Sequence, residues 1–315
     1  MTSPLRLPVA PRPFRNELLS SWMARVAARY GLEAPAMAAW LAGQGRGIRS
    51  LLQLDDIAPD PDLVRLWARA CRVDQERLAR LSLPHPFPDR SPAWILERPG
   101  VPVCLGCFDS DASAGRDSYL RSDWRLAEQV ACPAHGEMLH DRCPVCSGQL
   151  RVSFRMRGGL LRPFCRKCEA LLTGREGEKL RPWDAGFAAG VLDLQHQVQG
   201  LVWGEPDQRA RLEKTIRALW APLDRVDAAR PVLALWFDQP GWNCPFEARG
   251  AVSREAPLQH LSVRWRALTL VALGDLFGAE LVFDAELPEV AHRLISRAAP
   301  VFPRHQSRRQ GKEPY

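Results

Sequence analysis

The 315-residue sequence lacks any apolar run long enough to cross a membrane. Its best candidate stretch, residues 267–273, ends at Gly274 and Asp275, well short of the roughly 18 residues that a spanning helix needs. Residues 1–14 also lack the apolar segment of a secretory signal peptide. These absences argue against a membrane protein and predict a cytoplasmic one.

Lysine is scarce as well, since only four of the 43 basic residues are lysine and the rest are arginine. An arginine bias reflects genome composition as readily as phosphate recognition, so it carries little weight alone. The formal net charge is +7, and the excess lies in residues 1–182, because residues 183–315 carry 16 basic and 16 acidic side chains. This distribution permits nucleic-acid binding without requiring it.

The composition, 46% hydrophobic and 25% charged, is that of an ordinary globular protein and excludes wholesale disorder, a collagen-like repeat and a coiled coil. A chain of this length exceeds what one core organises efficiently, so about two domains are expected. Nine cysteines in a cytoplasmic chain favour metal binding over disulfides, because that compartment keeps thiols reduced. Seven of the nine lie within residues 104–168.

These cysteines and one histidine form four pairs with two-residue spacing, which provides two complete tetrahedral ligand sets for zinc. Pairing neighbours along the chain gives one set of three cysteines and a histidine and a second set of four cysteines, and an interleaved arrangement of the pairs stays open. Both sets fill all four positions, and neither an HExxH nor a deaminase signature is present, so structural zinc is favoured over catalytic zinc. The predicted ligands of the two zinc ions are Cys104, Cys107, Cys132 and His135, then Cys143, Cys146, Cys165 and Cys168.

The second set has the pattern of a zinc ribbon. Apolar residues alternate with polar ones over residues 150–157, and Gly158-Gly159 follows as a turn, which predicts a hairpin. One face of this hairpin carries Arg151, Arg155 and Arg157. The row either contacts nucleic-acid phosphate or is a solvated outer face.

Residues 60–81 read as helix, tight turn, helix, with Asp74 as cap of the second helix. This is the spacing of a helix-turn-helix whose second helix offers Gln75, Arg77 and Arg80 to DNA, and a helical corner used only for packing is the alternative. Earlier helices are predicted over residues 16–30, with Asn16 as N-cap and Gly31 after the end, and over residues 35–41. The GQGRG string at 43–47 follows a helix rather than a strand, which favours a plain loop over a phosphate cradle.

Six prolines within residues 83–103 predict a linker, three apolar stripes after residue 183 predict helices, and residues 286–299 are expected to form a last helix. The predicted fold is therefore mainly α-helical, with a small zinc-stabilised α+β module. The predicted layout is a helix-turn-helix domain (1–83), a Pro-rich linker (84–103), a double zinc finger or ribbon module (104–182), a helical C-terminal domain (183–303) and a basic disordered tail (304–315).

The motifs, taken together, resemble the TniQ family. The stretch ELLSSWMAR at 17–25 resembles its opening motif, and residues 119–146 combine an upstream tyrosine and tryptophan with CPAHGEML and CPVC. The resemblance covers residues 12–170 and implies the eight zinc ligands above. It also implies an accessory protein of DNA transposition that works with a DDE transposase and an AAA+ ATPase. Some relatives bind DNA directly, and others dock on an RNA-guided Cascade complex, in some cases as a dimer. A polar insert at 108–117 departs from the pattern.

These observations predict a non-enzymatic recruitment protein that joins DNA, or a DNA-bound complex, to the transposition machinery. A transcription regulator built on the same helix-turn-helix is the alternative, and a zinc hydrolase is a third possibility that the filled ligand sets oppose. We expect protein partners to bind the zinc module and C-terminal domain. Exposed aromatics of residues 236–246 are candidate anchors, and burial of these aromatics against the helices is the alternative.

Overall fold

The computed structural model describes residues 6–43, 55–88, 91–96, 100–174, 185–220, 233, 258–278 and 280–281. Within these residues the fold is mixed, mainly helical with two small antiparallel sheets. The helices are α1 (Leu19–Ala28), α2 (Ala34–Ala42), α3 (Pro61–Cys71), α4 (Gln75–Ala79), α5 (Leu105–Ser113), α6 (Ala185–Trp203), α7 (Pro206–Trp220) and α8 (Val263–Phe277). The strands are β1 (Ala131–Cys132) with β2 (Glu137–Met138), and β3 (Val152–Arg157) with β4 (Leu160–Cys165).

None of the helices in the described part of the chain combines the length and apolar character needed to span a membrane. Several predictions fall outside the described residues: most of the 43–47 loop, the helix at 286–299, the tail at 304–315 and the aromatics of 236–246.

Helix α1 begins three residues later than predicted, and its cap comes from a distant residue. Asn16 is not the N-cap; its side chain instead accepts a hydrogen bond from the Tyr119 hydroxyl at 2.9 Å. Leu18 occupies the cap position and has no capping side chain. The buried Asp56 carboxylate accepts from the Ser20 backbone N–H at 2.8 Å and from the Ser20 hydroxyl at 2.7 Å. Long-range capping of this kind leaves no local sequence signal.

The residues predicted to end α1 and to cap α4 have the predicted roles. Gly31 has φ 67°, and the following N–H of Leu32 bonds the Ala27 carbonyl at 3.1 Å, as in a Schellman cap. Asp74 accepts from the Arg77 backbone N–H at 2.9 Å and caps α4 as predicted. Helix α4 has only five residues. That this pair of helices is a DNA-binding motif stays a prediction.

The described core consists of two main apolar clusters. The N-terminal cluster is formed by helices α1, α2, α3 and α4. Within it, the Trp22 and Trp67 rings pack edge to face with their centroids 6.0 Å apart. The larger cluster combines the first cysteine set with α6, α7 and α8, and it contains a second edge-to-face pair, Trp220 with Trp265, at 5.5 Å. Edge-to-face rings of this kind add to the stabilisation that area burial provides.

Part of the Pro-rich segment at 84–103 lies inside the protein. Trp94 and Leu96 are buried, and their backbones bond those of Ala127 and Arg125 at 2.7 and 2.8 Å. The Trp94 indole N–H donates to Glu213 of α7 at 2.9 Å. An apolar triplet between prolines has enough side chain to be buried even though the segment cannot form a regular helix.

The predicted hairpin is confirmed as β3 and β4, which pair from Val152 with Cys165 to Arg157 with Leu160. Gly158 and Gly159 turn the chain with φ of 58° and 79°, a conformation that glycine adopts without steric cost. One face of the hairpin packs on α1, where Phe154 and Leu161 contact Ala28. Met156, predicted on that apolar face, is 43% exposed because it lies near the turn.

Replacing the remote cap should destabilise the N-terminal helices. We expect Asp56→Ala to lower the free energy of unfolding by about 2 kcal/mol, since it removes a helix cap and leaves the Ser20 donors unpaired. Urea unfolding of the full chain measures this loss. Asp62→Ala is the control, because Asp62 pairs with Arg65 at the surface and its loss should matter far less. Equal losses in the two variants would contradict the capping role.

Candidate metal centres

The first centre gathers four donor atoms from α5 and the β1–β2 turn. The Nδ1 atom of His135 lies 3.5, 3.4 and 3.5 Å from the Sγ atoms of Cys104, Cys107 and Cys132. The sulfurs of Cys107 and Cys132 are 3.6 Å apart. All three cysteines are buried, so this centre belongs to the larger apolar cluster.

The second centre lies at the base of the β3–β4 hairpin. Its sulfurs are 3.6 Å apart between Cys143 and Cys168, and 4.0 Å apart between Cys146 and Cys165. Cys143 and Cys165 are buried, whereas Cys168 is exposed. The second centre is therefore closer to solvent than the first.

Both clusters have the dimensions of a tetrahedral zinc site. With Zn–S near 2.3 Å and Zn–N near 2.0 Å, tetrahedral ligand atoms are separated by about 3.8 Å for two sulfurs and about 3.6 Å for sulfur and nitrogen. The observed distances match these values, and within each set all ligand atoms lie within 4.8 Å of one another. The structure thus groups the eight predicted residues by chain neighbours and does not form the interleaved sets. That the bound ion is zinc stays a prediction.

Three of the four ligand pairs share one turn. The residue after the second ligand has positive φ in each: Gly136 at 60°, Ser147 at 53° and Glu169 at 57°. Its N–H donates to the carbonyl of the first ligand, at 2.8 Å to Cys132, 2.9 Å to Cys143 and 2.8 Å to Cys165. Only Gly136 predicts this conformation from the sequence, because serine and glutamate rarely adopt a positive φ.

The fourth pair uses the start of a helix instead. Cys104 is the N-cap of α5, and its sulfur accepts from the backbone N–H of Cys107 at 3.3 Å. Gly106, between the two cysteines, leaves room for the imidazole: a Cβ at this position would lie 2.9 Å from His135 Cδ2. The other ring nitrogen, His135 Nε2, is 2.9 Å from the Ser110 hydroxyl, which fixes the ring with Nδ1 towards the sulfurs.

The thiols polarise one another within each cluster. Hydrogen bonding to Cys107 and Cys132, together with burial, raises the pKa of Cys104 well above its usual range. Hydrogen bonds from Cys104 and Cys107 hold the pKa of Cys132 well below its usual range. In the second cluster burial raises the pKa of Cys143 to about 12. A cation that binds thiolate here therefore displaces protons, so metal affinity falls as the pH falls.

The polar insert at 108–117 connects the first centre to the rest of the protein. Its first part is the second half of α5, whose buried Asp111 carboxylate pairs with Arg121 at 3.0 Å. The Arg121 guanidinium also lies over the rings of Tyr119 and Trp124, at 4.4 and 5.0 Å from their centroids. The residues that the resemblance singled out upstream of the metal motif therefore surround one buried cation.

The end of the insert carries Asp117, which sequence reasoning missed. Its carboxylate is 2.7 Å from the Arg29 guanidinium and 3.5 Å from that of Arg25, both on α1, and it accepts from the Leu161 backbone N–H at 2.9 Å. Arg25 is fully buried and also pairs with Glu17 at 2.9 Å. Nothing in the sequence pairs Asp117 with these arginines, because Arg29 lies 88 positions away along the chain.

Two polar side chains from the C-terminal helices hold the backbone beside the first centre. The Gln195 amide oxygen of α6 accepts from the N–H groups of Val130 and Ala131, both at 2.8 Å. The buried Arg266 of α8 donates to the carbonyls of Ala127 and Gln129 at 2.7 and 3.1 Å. In the sequence, Gln195 and Arg266 stand out only as polar residues on the buried side of a helix.

The predicted DNA-contacting residues all lie at the surface. Gln75, Arg77 and Arg80 are exposed on α4, where Arg80 pairs with Glu76. The hairpin arginines Arg151, Arg155 and Arg157 are also exposed. Their contact with DNA stays a prediction.

With this geometry in place, comparison with known families gives a clear result: residues 8–139 match the family model of TniQ. The chain carries a TniQ domain. The TniQ match confirms the resemblance up to residue 139 and includes helices α1 to α5 and all four residues of the first centre. A search of curated proteins found no match to the chain.

The second centre and the hairpin lie after the matched TniQ region, at residues 143–168. The hairpin nevertheless packs directly on α1 of the TniQ domain. The TniQ domain and the second centre therefore form a continuous structure in this protein.

We expect the purified protein to hold two zinc ions per chain, counted by elemental mass spectrometry. Cys165→Ser should lower the count to one and lower the stability, because metal binding contributes folding free energy. Cys71→Ala is the matched control, since Cys71 lies on α3 outside both clusters and its loss should leave two ions. A single ion in the unmodified chain, together with no loss of stability in Cys165→Ser, would disprove the second centre.

Gly106→Ala should weaken the first centre selectively. The added methyl would press on the His135 ring, so we expect faster zinc loss to a chelator from one of the two sites. Gly190→Ala in α6 is the control, because open space surrounds that glycine and alanine favours a helix there. Unchanged chelator kinetics in Gly106→Ala would show that the ring has room to move.

Proposed function

We propose that this protein is a non-enzymatic zinc-binding accessory protein of DNA transposition. It joins target DNA, or a DNA-bound targeting complex such as an RNA-guided Cascade assembly, to an AAA+ ATPase, a DDE transposase or both. The observation that carries the proposal is the TniQ match over residues 8–139, which coincides with the α1–α5 structure and the first metal centre. The TniQ family is associated with transposition.

The metal centres support a structural role in this function. Each has four protein ligands, whereas a catalytic zinc commonly keeps one position for water or substrate. Zinc at the first centre would fix α5 against the β1–β2 turn, and zinc at the second would fix the base of the hairpin. Metal would thereby supply folding free energy to a segment with little regular secondary structure.

Two other functions have less support. A transcription regulator would rest on α3 and α4 alone, and α4 is only five residues long. A zinc hydrolase needs an open coordination position, which neither ligand set offers. The TniQ match favours transposition over both.

We place the surface for protein partners on the zinc module defined above and on the C-terminal helices. Trp203, at the end of α6, is 46% exposed, and its ring centroid lies 6.0 Å from that of Phe87. Exposed tryptophans are frequent energetic anchors of interfaces. On the N-terminal helices, Trp40 of α2 is exposed to the same degree, at 49%, and provides an internal comparison.

The partner surface is best tested with point variants of the full chain, because a truncation would disturb the core. Because α6 to α8 share one core with the first centre, cutting the chain after Gly177 would expose that core rather than separate two functions. The full chain should co-purify with the ATPase or transposase encoded beside it. We expect Trp203→Ala to weaken this association about tenfold or more and Trp40→Ala to leave it nearly unchanged.

Two results would contradict parts of the proposal. Failure of the unmodified chain to associate with any component of the transposition machinery would remove the recruitment function. Loss of association in Trp40→Ala, with Trp203→Ala unaffected, would move the partner surface to the N-terminal helices. Zinc content and thermal stability of both variants check that the fold is intact.

A further inference from the structure

We propose that the outward face of the β3–β4 hairpin is the surface that contacts the phosphate backbone of duplex DNA, and that Glu169 limits its strength. The inference rests on the proposed function and names the part of the chain that meets DNA. The face is formed by Arg151, Arg155, Arg157 and Arg162, and it is called the arginine face below.

The strand register places Arg155, Arg157 and Arg162 on one side of the hairpin, and Arg151 directly precedes β3. Arg155 lies directly opposite Arg162, and Arg157 lies opposite Leu160, so both strands contribute arginine to the same side. The reverse side packs on α1 through Phe154 and Leu161 and cannot face a ligand. Near the base of the hairpin, Leu171 forms a backbone bridge with Phe164 at the edge of β4, and Arg151 remains exposed at this end.

The arginine face works against the stability of the hairpin. Like charges directly opposite each other in an antiparallel pair are destabilising, and Arg155 and Arg162 are such a pair. The fold reduces this repulsion: Glu169 binds Arg155 at 2.6 Å, and the Arg116 carbonyl accepts from Arg162 at 2.7 Å. Arg155 also lies over the Phe164 ring, 5.6 Å from its centroid. The repulsion is thus reduced by local contacts, and the charge of the face is kept.

The remaining arginines have no such compensation. Among the described residues, no carboxylate lies within ion-pair distance of Arg151 or Arg157, and both are exposed. Helix α4 differs, because Glu76 pairs with Arg80 and Asp74 lies at its start. Residues 60–81 carry five arginines against four acidic residues, whereas the arginine face carries four arginines with one paired acidic residue, Glu169, so the face has the larger net positive charge.

The chemistry of the face fits a phosphate backbone rather than base edges. Guanidinium groups bind phosphate through two parallel hydrogen bonds, and the exposed positions of this face carry no amide side chain of the kind that reads bases. Contact should therefore be independent of sequence and should weaken as salt rises. A two-stranded ribbon also has the dimensions to approach a duplex groove.

The test measures binding of the full, zinc-loaded chain to a labelled duplex of arbitrary sequence over a range of salt concentrations. We expect Arg151→Ala with Arg157→Ala to lower affinity and to reduce the log–log salt slope by about 1.8, since each phosphate contact contributes about 0.9. Arg211→Ala with Lys214→Ala removes the same charge from α7 and should leave the slope unchanged.

A second variant should act in the opposite direction. Glu169→Gln releases Arg155 while keeping a side chain of the same size, so we expect higher affinity and a slope steeper by about 0.9. Higher affinity on loss of one acidic group, with no change in zinc content, is a result that damage to the fold would not produce.

The possible results separate this inference from the proposed function. Duplex binding that survives Arg151→Ala with Arg157→Ala, or that is lost instead in Arg77→Ala with Arg80→Ala, overturns the arginine face and leaves the recruitment function standing. Absence of duplex binding, or tighter binding to single-stranded RNA, also overturns it. Binding that follows the expected variants, in a chain that associates with no transposition protein, supports the face and contradicts the proposed function.

Discussion

Asp117 joins α1, the β3–β4 hairpin and the segment that follows α5. Its carboxylate pairs with Arg25 and Arg29 of α1 and accepts from the Leu161 N–H of the hairpin, while its own backbone follows α5. A buried carboxylate requires partners of this kind, because an uncompensated charge away from water is strongly unfavourable. The relative position of α1, α5 and the hairpin therefore depends on this group, and Glu17 completes the network on the far side of Arg25.

The two candidate metal centres lie in different environments. The first lies in the larger core, and side chains from α6 and α8 hold the backbone next to it. The second lies nearer the surface and closes the base of a hairpin. The first centre is therefore enclosed by residues that hold the C-terminal helices, whereas the second combines two ligands in the same core, Cys143 and Cys165, with the exposed Cys168.

Features with short-range causes could be predicted from the sequence. The eight clustered residues, the Gly158-Gly159 turn and the Asp74 cap all follow from spacing or from the conformation that one residue prefers. Features with long-range causes could not. Asp56 caps α1 from 36 positions away, and Asp117 meets Arg29 from 88, so neither leaves a periodic or local pattern. The expected N-cap at Asn16 was wrong because a distant carboxylate filled the same need.

The left-handed turn at Glu169 has a consequence for the electrostatics of the surface. This turn presents Cys168 to the second centre, and the same backbone conformation directs the Glu169 carboxylate to Arg155. Metal coordination and the charge of the neighbouring surface are therefore set by one short segment. A disturbance of the ligand cage would separate the Glu169 carboxylate from Arg155 and leave this guanidinium without its partner, with no change in net charge.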